Sequence, residues 1–223
     1  MARRERFGAV CGRTSVRGRW FSDRRFYRTR GEWSTMVEME SSPELEAGDT
    51  IPWFELPGTD GETYTPDSFA DARALVVVFT CNHCPYAKAK FELLNELSAE
   101  YDDAAIVGIN PNDAAAYPDD SHERMVELVE AGTIDWDAYL RDEPQSVAAS
   151  FGAVCTPDPF LFARRDDEWR LVYQGRLDDA LDPDATPERY HSREAIEAIL
   201  ADDPIDLEWR PSRGCSIKWK DEA

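Results

Sequence analysis

The sequence predicts an α/β domain with a central mixed β-sheet and helices on both faces. Two apolar runs carry that prediction, Ala74–Phe79 and Ala104–Ile109. Neither alternates with polar residues, so each reads as a strand buried on both faces. The third observation is order: helical and extended patterns follow one another as β-α-β-α and then β-β-α, which suits a sheet covered on both sides. At 223 residues, with 42% apolar residues, the chain can bury a large core without disulfides or metal.

The elements follow in order. Gly48 to Pro57 is extended and interrupted by Pro52 and Pro57. Thr59 to Glu62 is a turn through its Asp60-Gly61 pair. Ala74–Phe79 is the first buried strand. Pro85 to Tyr101 reads as one helix, with Pro in its first turn and Phe91, Leu94, Leu97 and Tyr101 near helical spacing. Ala104–Ile109 is the second buried strand. Asp120 to Ala131 is an amphipathic helix capped by Asp120 or Ser121. Gln145 to Phe151 is a shorter helix. Phe160–Phe162 and Trp169–Gln174 are strands of a hairpin, joined by the polar turn Arg164 to Asp167. Ser192 to Leu200 is the closing helix.

Charge is unevenly spread. Residues 1–35 hold ten Arg against Glu5, Asp23 and Glu32, a net of +7. Residues 36–223 then hold 15 basic and 42 acidic groups, a net of −27, within the chain's −20. So acidic a body repels phosphate backbones, which excludes nucleic acid as its partner. The longest apolar run has six residues, whereas a membrane-spanning helix needs about 20. Only Lys88, Lys90, Lys218 and Lys220 are lysines. Acidity with little Lys fits a salt-loaded cytoplasm, where screening acts over about 3 Å at molar salt. The plain alternative is an ordinary acidic protein.

The basic segment 1–35 reads as a disordered or spurious extension. Arg3-Arg4 lacks the apolar stretch of about 7–15 residues that an export signal requires. A basic arm for nucleic acid is one reading, and an upstream start with Met36 as the first residue is the preferred one. Residues 36–47 are an acidic lead-in, and 48–220 form the domain. Cys11 is set aside with its segment.

Chemistry concentrates in Cys81-Asn82-His83-Cys84-Pro85, between a buried strand and a helix start. Unpaired N–H groups at such a start stabilise a thiolate, and the thiolate is the nucleophile. Two cysteines three apart can close a small ring reversibly. In the expected geometry Cys81 is exposed and attacks, while Cys84 lies behind it and resolves. His83 adds a donor or positive charge beside Cys81, and Lys88 adds to the field. Half of a zinc site is the competing reading, but Cys155 and Cys215 are single and distant rather than a second close pair.

Together with Thr156-Pro157 ahead of Phe160–Phe162, these residues resemble the thioredoxin-like superfamily. Gly48-Asp49, Ile51-Pro52, Phe54, Leu56-Pro57 and Asp60-Gly61 resemble the start of redoxin domains of the peroxiredoxin (alkyl hydroperoxide reductase/thiol-specific antioxidant) group. FTCNHCPYAKA (79–89), YLRDEPQSVAASFGAVCTPDPFLF (139–162) and GCSIKWK (214–220) are similar to peroxiredoxin-like thioredoxin-family proteins. The resemblance spans roughly residues 46–220. It implies a thioredoxin-like fold, a cis bond before Pro157, and a Thr156 backbone that holds an extended substrate facing the dithiol. Cys155 then falls near Cys81, as a third redox thiol or a small buried hydrophobe. Cys215 is a further candidate, since all four lysines lie within six residues of Cys84 or Cys215.

The function expected is thiol–disulfide oxidoreduction in the cytoplasm. Protein or small-molecule disulfides are the substrates, and a thiol reductant is the partner. No organic cofactor or metal is implied. A thiol peroxidase acting on peroxides is the alternative, but the family's Pro-x-x-x-Thr-x-x-Cys spacing fails. Thr80 stands one before Cys81 and four before Cys84, and the later Arg has only Arg176 as a candidate. A redox sensor or an inactive binding module is the non-enzyme alternative. His122 and His191 read as helix-surface or cap residues. The Asp pairs beginning at 102, 119, 166, 178 and 202 read as solvated caps, and Trp53, Trp136, Trp169 and Trp209 as packing.

Overall fold

The structure, a computed structural model, describes residues 27–29, 32–34, 38–41 and 44–220. Its strands are β1 (Tyr27–Thr29), β2 (Glu32–Ser34), β3 (Glu38–Glu40), β4 (Leu56–Pro57), β5 (Thr63–Tyr64), β6 (Ala74–Phe79), β7 (Ala104–Asn110), β8 (Ala138–Arg141), β9 (Cys155–Thr156), β10 (Asp158–Arg165), β11 (Glu168–Gln174) and β12 (Arg213–Ser216). Its helices are α1 (Pro85–Lys88), α2 (Phe91–Glu100), α3 (His122–Glu130), α4 (Ser146–Phe151) and α5 (His191–Ala201).

The central sheet has the order β11-β10-β6-β7-β8. β6, β7 and β8 run parallel, while β10 runs antiparallel to both β6 and β11. Every residue of β6 and β7 is buried, as their unbroken apolar runs require. Side chains alternate between faces with period two. Leu75, Val77 and Phe79 join Val107, Ile109 and Phe151 of α4 on one face. Val76, Val78 and Ile106 meet Leu94 and Leu97 of α2 and Ile196 of α5 on the other. Phe79, Phe151 and Phe160 meet edge to face at 5.1, 5.2 and 5.8 Å, a geometry their ring quadrupoles favour.

A second sheet, β3-β12-β9, is antiparallel throughout. It ties both ends of the described chain to the segment before Pro157. The acidic lead-in thus supplies β3, and Ser41 after it is buried, its N–H donating to Ser212 O at 2.9 Å. The predicted extension 1–35 lies mostly outside the described residues. Within it β1 and β2 pair with each other.

Several expectations change. The helix predicted over 85–101 is two, with Ala89 and Lys90 between α1 and α2; Lys90 is the N-cap of α2 (φ −107°, ψ −3°) and its Nζ reaches the buried Asp178 at 2.6 Å. Asp178 and Asp120 are buried rather than solvated caps. His191 is buried too, and Trp53 is 61% exposed instead of packed. Among the described residues, no helix is long and apolar enough to cross a membrane.

Candidate active site

Strand register builds the site. Asp158 of β10 pairs with Phe79 of β6, so the residues just before Asp158 arrive beside those just after Phe79. Cys84 is the N-cap of α1 in extended conformation (φ −72°, ψ 127°). Pro85 follows, needing no N–H partner at the first position, and Lys88 N–H donates to the Cys84 carbonyl at 3.0 Å. The Thr156–Pro157 bond is cis. Thr156 meets both sulfurs: its Oγ1 lies 3.1 Å from Cys81 Sγ, and its carbonyl oxygen lies 3.4 Å from Cys84 Sγ.

Both sulfurs are fully buried, at 0% exposure for Cys81 and for Cys84. This overturns the expectation that Cys81 stands exposed. The cover comes from far along the chain. On one side β12 sits on β9, with Cys215 opposite Thr156, and β3 flanks β12. Glu38 of β3 pairs with Arg213 and accepts from Tyr86 OH at 3.1 Å. On the other side lies a buried polar network. Asp120 Oδ1 accepts from Asn82 N–H at 2.6 Å, and Oδ2 from Asn112 Nδ2 at 2.7 Å. Tyr139 OH donates to Asn82 Oδ1 at 2.7 Å.

His83 is half-buried and pairs its Nδ1 with Asp120 Oδ2 at 2.6 Å. Its ring stacks on Tyr117 at 5.4 Å, and Lys218 Nζ lies 5.7 Å over the same ring. Lys218 thus lies near His83 through Tyr117, whereas Lys88 is exposed and Lys90 pairs with Asp178. The Thr80 hydroxyl is buried with no hydrogen-bond partner among the described residues. Cys81, His83 and Asp120 offer ligand atoms within 4.8 Å of one another. Hydrogen bonds to Asn82, His83 and Asn112 already occupy the Asp120 oxygens, which accounts for the cluster without an ion.

Electrostatics divide the two cysteines. Burial pushes the Cys81 thiol well up, helped by Cys84 and the Asp120 carboxylate and opposed by the Thr156 hydroxyl. Burial also pushes Cys84 up. Donors from the Cys215 and Cys81 thiols and from the N–H groups of Ala87 and Cys215 outweigh it and hold Cys84 well below the usual thiol range. Hydrogen bonding thus pulls Cys84 down while burial holds Cys81 up. With α1 only one turn long, local N–H groups rather than a helix dipole do this. Cys215 is raised by its hydrogen bond to Cys84 and by burial, with Lys218 opposing.

Cys155 is fully buried, its thiol 3.6 Å from Pro157 O and raised by burial and by Asp158. Burial lifts Asp158 to about 7. Arg176, the candidate peroxide-polarising residue, gives its Nε to Pro211 O at 2.8 Å. The groups acting most strongly on Cys81 and Cys84 include no arginine. Sequence reasoning missed Asn82, Asp120 and Tyr139, whose partners are non-local.

Fold and site define a thioredoxin-like redoxin. Residues 47–168 match the AhpC/TSA family, and the chain belongs to that family. An uncharacterized conserved protein from Geobacillus kaustophilus is 36% identical, with a TM-score of 0.77, covering 84% of this chain and 99% of its own. A hypothetical protein from Sinorhizobium meliloti 1021 is 37% identical, with a TM-score of 0.74, covering 81% and 98%. Peroxidoxin BcpB from Mycobacterium tuberculosis shares the fold at 20% identity and a TM-score of 0.51, covering 71% and 98%. No curated protein matches.

Proposed function

We propose that the protein is a thiol–disulfide oxidoreductase working through the Cys81–Cys84 dithiol. One observation carries this reading: both sulfurs converge on Thr156, within 3.1 and 3.4 Å of its oxygens. The Cys84 thiolate attacks a substrate disulfide, and one substrate sulfur leaves as a thiol after taking a proton. Cys81 then loses its proton and attacks Cys84 in the mixed disulfide, closing the Cys81–Cys84 ring and releasing the second substrate thiol. A thiol reductant reopens the ring. Since both sulfurs are covered, a protein substrate reaches them only when the β3–β12 cover lifts.

Membership of the AhpC/TSA family favours a second reading, a thiol peroxidase. One experiment separates the two: reduction of insulin disulfides beside consumption of hydrogen peroxide, on wild type, Cys81→Ser and Cys84→Ser. Disulfide reduction lost in both variants, with peroxide oxidation no faster than that of a free thiol, supports the first reading. Rapid peroxide turnover without insulin reduction supports the second. Oxidation without turnover of either substrate would point to a sensor.

A further inference from the structure

A third sulfur belongs to this site. Cys215 pairs across the ladder with Thr156, and Ser216 with Cys155. Because Thr156 also holds Cys81 and Cys84, that register delivers Cys215 to Cys84. The two thiols hydrogen-bond, and the Cys215 N–H reaches the Cys84 sulfur as well. Cys81, Cys84 and Cys215 share one buried cluster with Tyr86, Phe91 and Tyr139.

Gly214 makes this seating possible. A Cβ there would lie 2.1 Å from the Thr156 oxygen, 2.5 Å from its carbonyl carbon and 3.0 Å from Pro157 N, contacts no side chain tolerates. Residues 203–212, leading from α5 to β12, carry no helix or strand. β12 therefore occupies a strand edge that would otherwise be open to an incoming chain, and it presents a thiol there.

We propose that Cys215 is a third redox thiol, which exchanges directly with the Cys81–Cys84 disulfide and makes β12 that disulfide's built-in first partner. This rests on the thiol–disulfide reading above. The Cys215 thiolate attacks Cys84 Sγ. The Cys84–Cys215 bond forms as the Cys81–Cys84 bond breaks, and the electron pair leaves on Cys81, which takes up the proton that Cys215 gave up. Nothing is oxidised or reduced overall. Once Cys84 is in a disulfide, the anion that held the Cys215 proton is gone, and Lys218 remains to favour the Cys215 thiolate. Cys155, turned to Pro157 O, is not the acceptor.

The test uses the full chain, equilibrated with mixtures of glutathione and glutathione disulfide, acid-quenched, alkylated and digested with trypsin without reduction. Cys81 and Cys84 leave on peptide 74–88, Cys215 on 214–218 and Cys155 on 142–164. Wild type should yield 74–88 joined to 214–218. The linkage should increase in Cys81→Ser and vanish in Cys84→Ser and Cys215→Ser. In Gly214→Ala it should fall below about one tenth of the wild-type yield, through lost effective concentration, while the disulfide within 74–88 persists. If that internal disulfide forms but no linked peptide appears in wild type or Cys81→Ser, the Cys215 proposal fails and the dithiol reading stands. If no disulfide forms on 74–88 at all, both fail. Undiminished linkage in Gly214→Ala would overturn the seated-strand geometry.

Discussion

The Thr156 hydroxyl lies 3.1 Å from Cys81 Sγ and acts against the burial that keeps this thiol protonated. Thr156→Val keeps the shape and removes that hydroxyl. A hydrogen bond of about 1 kcal/mol corresponds to roughly fivefold. Reduction of insulin disulfides should therefore slow about fivefold, with unfolding stability nearly unchanged. An unaltered rate would remove Thr156 Oγ1 from the chemistry.

Asp120 joins Asn82, His83, Asn110 and Asn112 in one buried network. Burial pushes its carboxyl up, but His83, Asn112 and the Asn82 N–H outweigh burial and hold it below the ordinary 3.8. A carboxyl with a depressed folded pKa stabilises the fold above the unfolded value, and that share is lost as pH falls through the folded pKa. Urea unfolding from pH 6 downward should show a wild-type loss, below about pH 4, that Asp120→Asn lacks. Asp120→Ala, which leaves several buried donors unpaired, should cost about 3–5 kcal/mol at pH 7.

Asp158 behaves oppositely. Burial lifts it to about 7, and its Oδ1 has no hydrogen-bond partner among the described residues. Its folded pKa lies above the unfolded 3.8, so the folded state binds the proton more tightly. Stability is then full at about pH 4 and declines as pH rises towards 7. The decline is a few kcal/mol, since each tenfold gain in proton affinity on folding is worth about 1.4 kcal/mol. Asp158→Asn should match wild type near pH 4 and be the more stable protein at pH 8. Equal stabilities at pH 8 would show that the carboxylate is better solvated than its burial implies.

Gly108 lies in β7 beneath Trp136. A Cβ there would stand 2.3 and 2.6 Å from two atoms of the indole and 3.0 Å from the Tyr139 ring. Trp136 also meets Tyr139 and Phe91 edge to face at 5.1 and 5.5 Å, so it has little room to yield. Gly108→Ala should destabilise by about 1–3 kcal/mol as overpacking, read from denaturant midpoints. A neutral result would mean that the indole shifts freely.

The sequence exposes β6 and β7 because a strand buried on both faces leaves an unbroken apolar run. It exposes the dithiol because two cysteines between such a strand and Pro85 have few structural uses. β3 and β12 are hidden because neither has an apolar period; their hydrogen bonds come from residues distant in the chain, as when Cys215 pairs with Thr156. The same non-locality explains Cys81. Its place before a helix suggests exposure, whereas its burial depends on Tyr139 and β12. Asp120 beside Asp119 looks like a solvated pair until folding brings Asn82 and Asn112 to it.

Hydrogen bonding sets the two sulfurs of the reduced dithiol apart. Cys84 accepts from the thiols of Cys215 and Cys81 and from two backbone N–H groups, and these outweigh its burial. Cys81 has the Thr156 hydroxyl against burial and a nearby carboxylate. Thiolate absorbance in the ultraviolet should thus appear in the reduced protein below the usual thiol range of about 8.5. It should persist in Cys81→Ser, since a serine hydroxyl still donates to Cys84, and disappear from that range in Cys84→Ser. Cys215→Ser keeps a donor and should move the titration little. Cys215→Ala removes the first of the groups that offset burial. The titration should then move upward by about one pH unit, the worth of one charge-assisted hydrogen bond of about 1.4 kcal/mol. If the low titration follows Cys81 instead, Cys81 is the attacking sulfur.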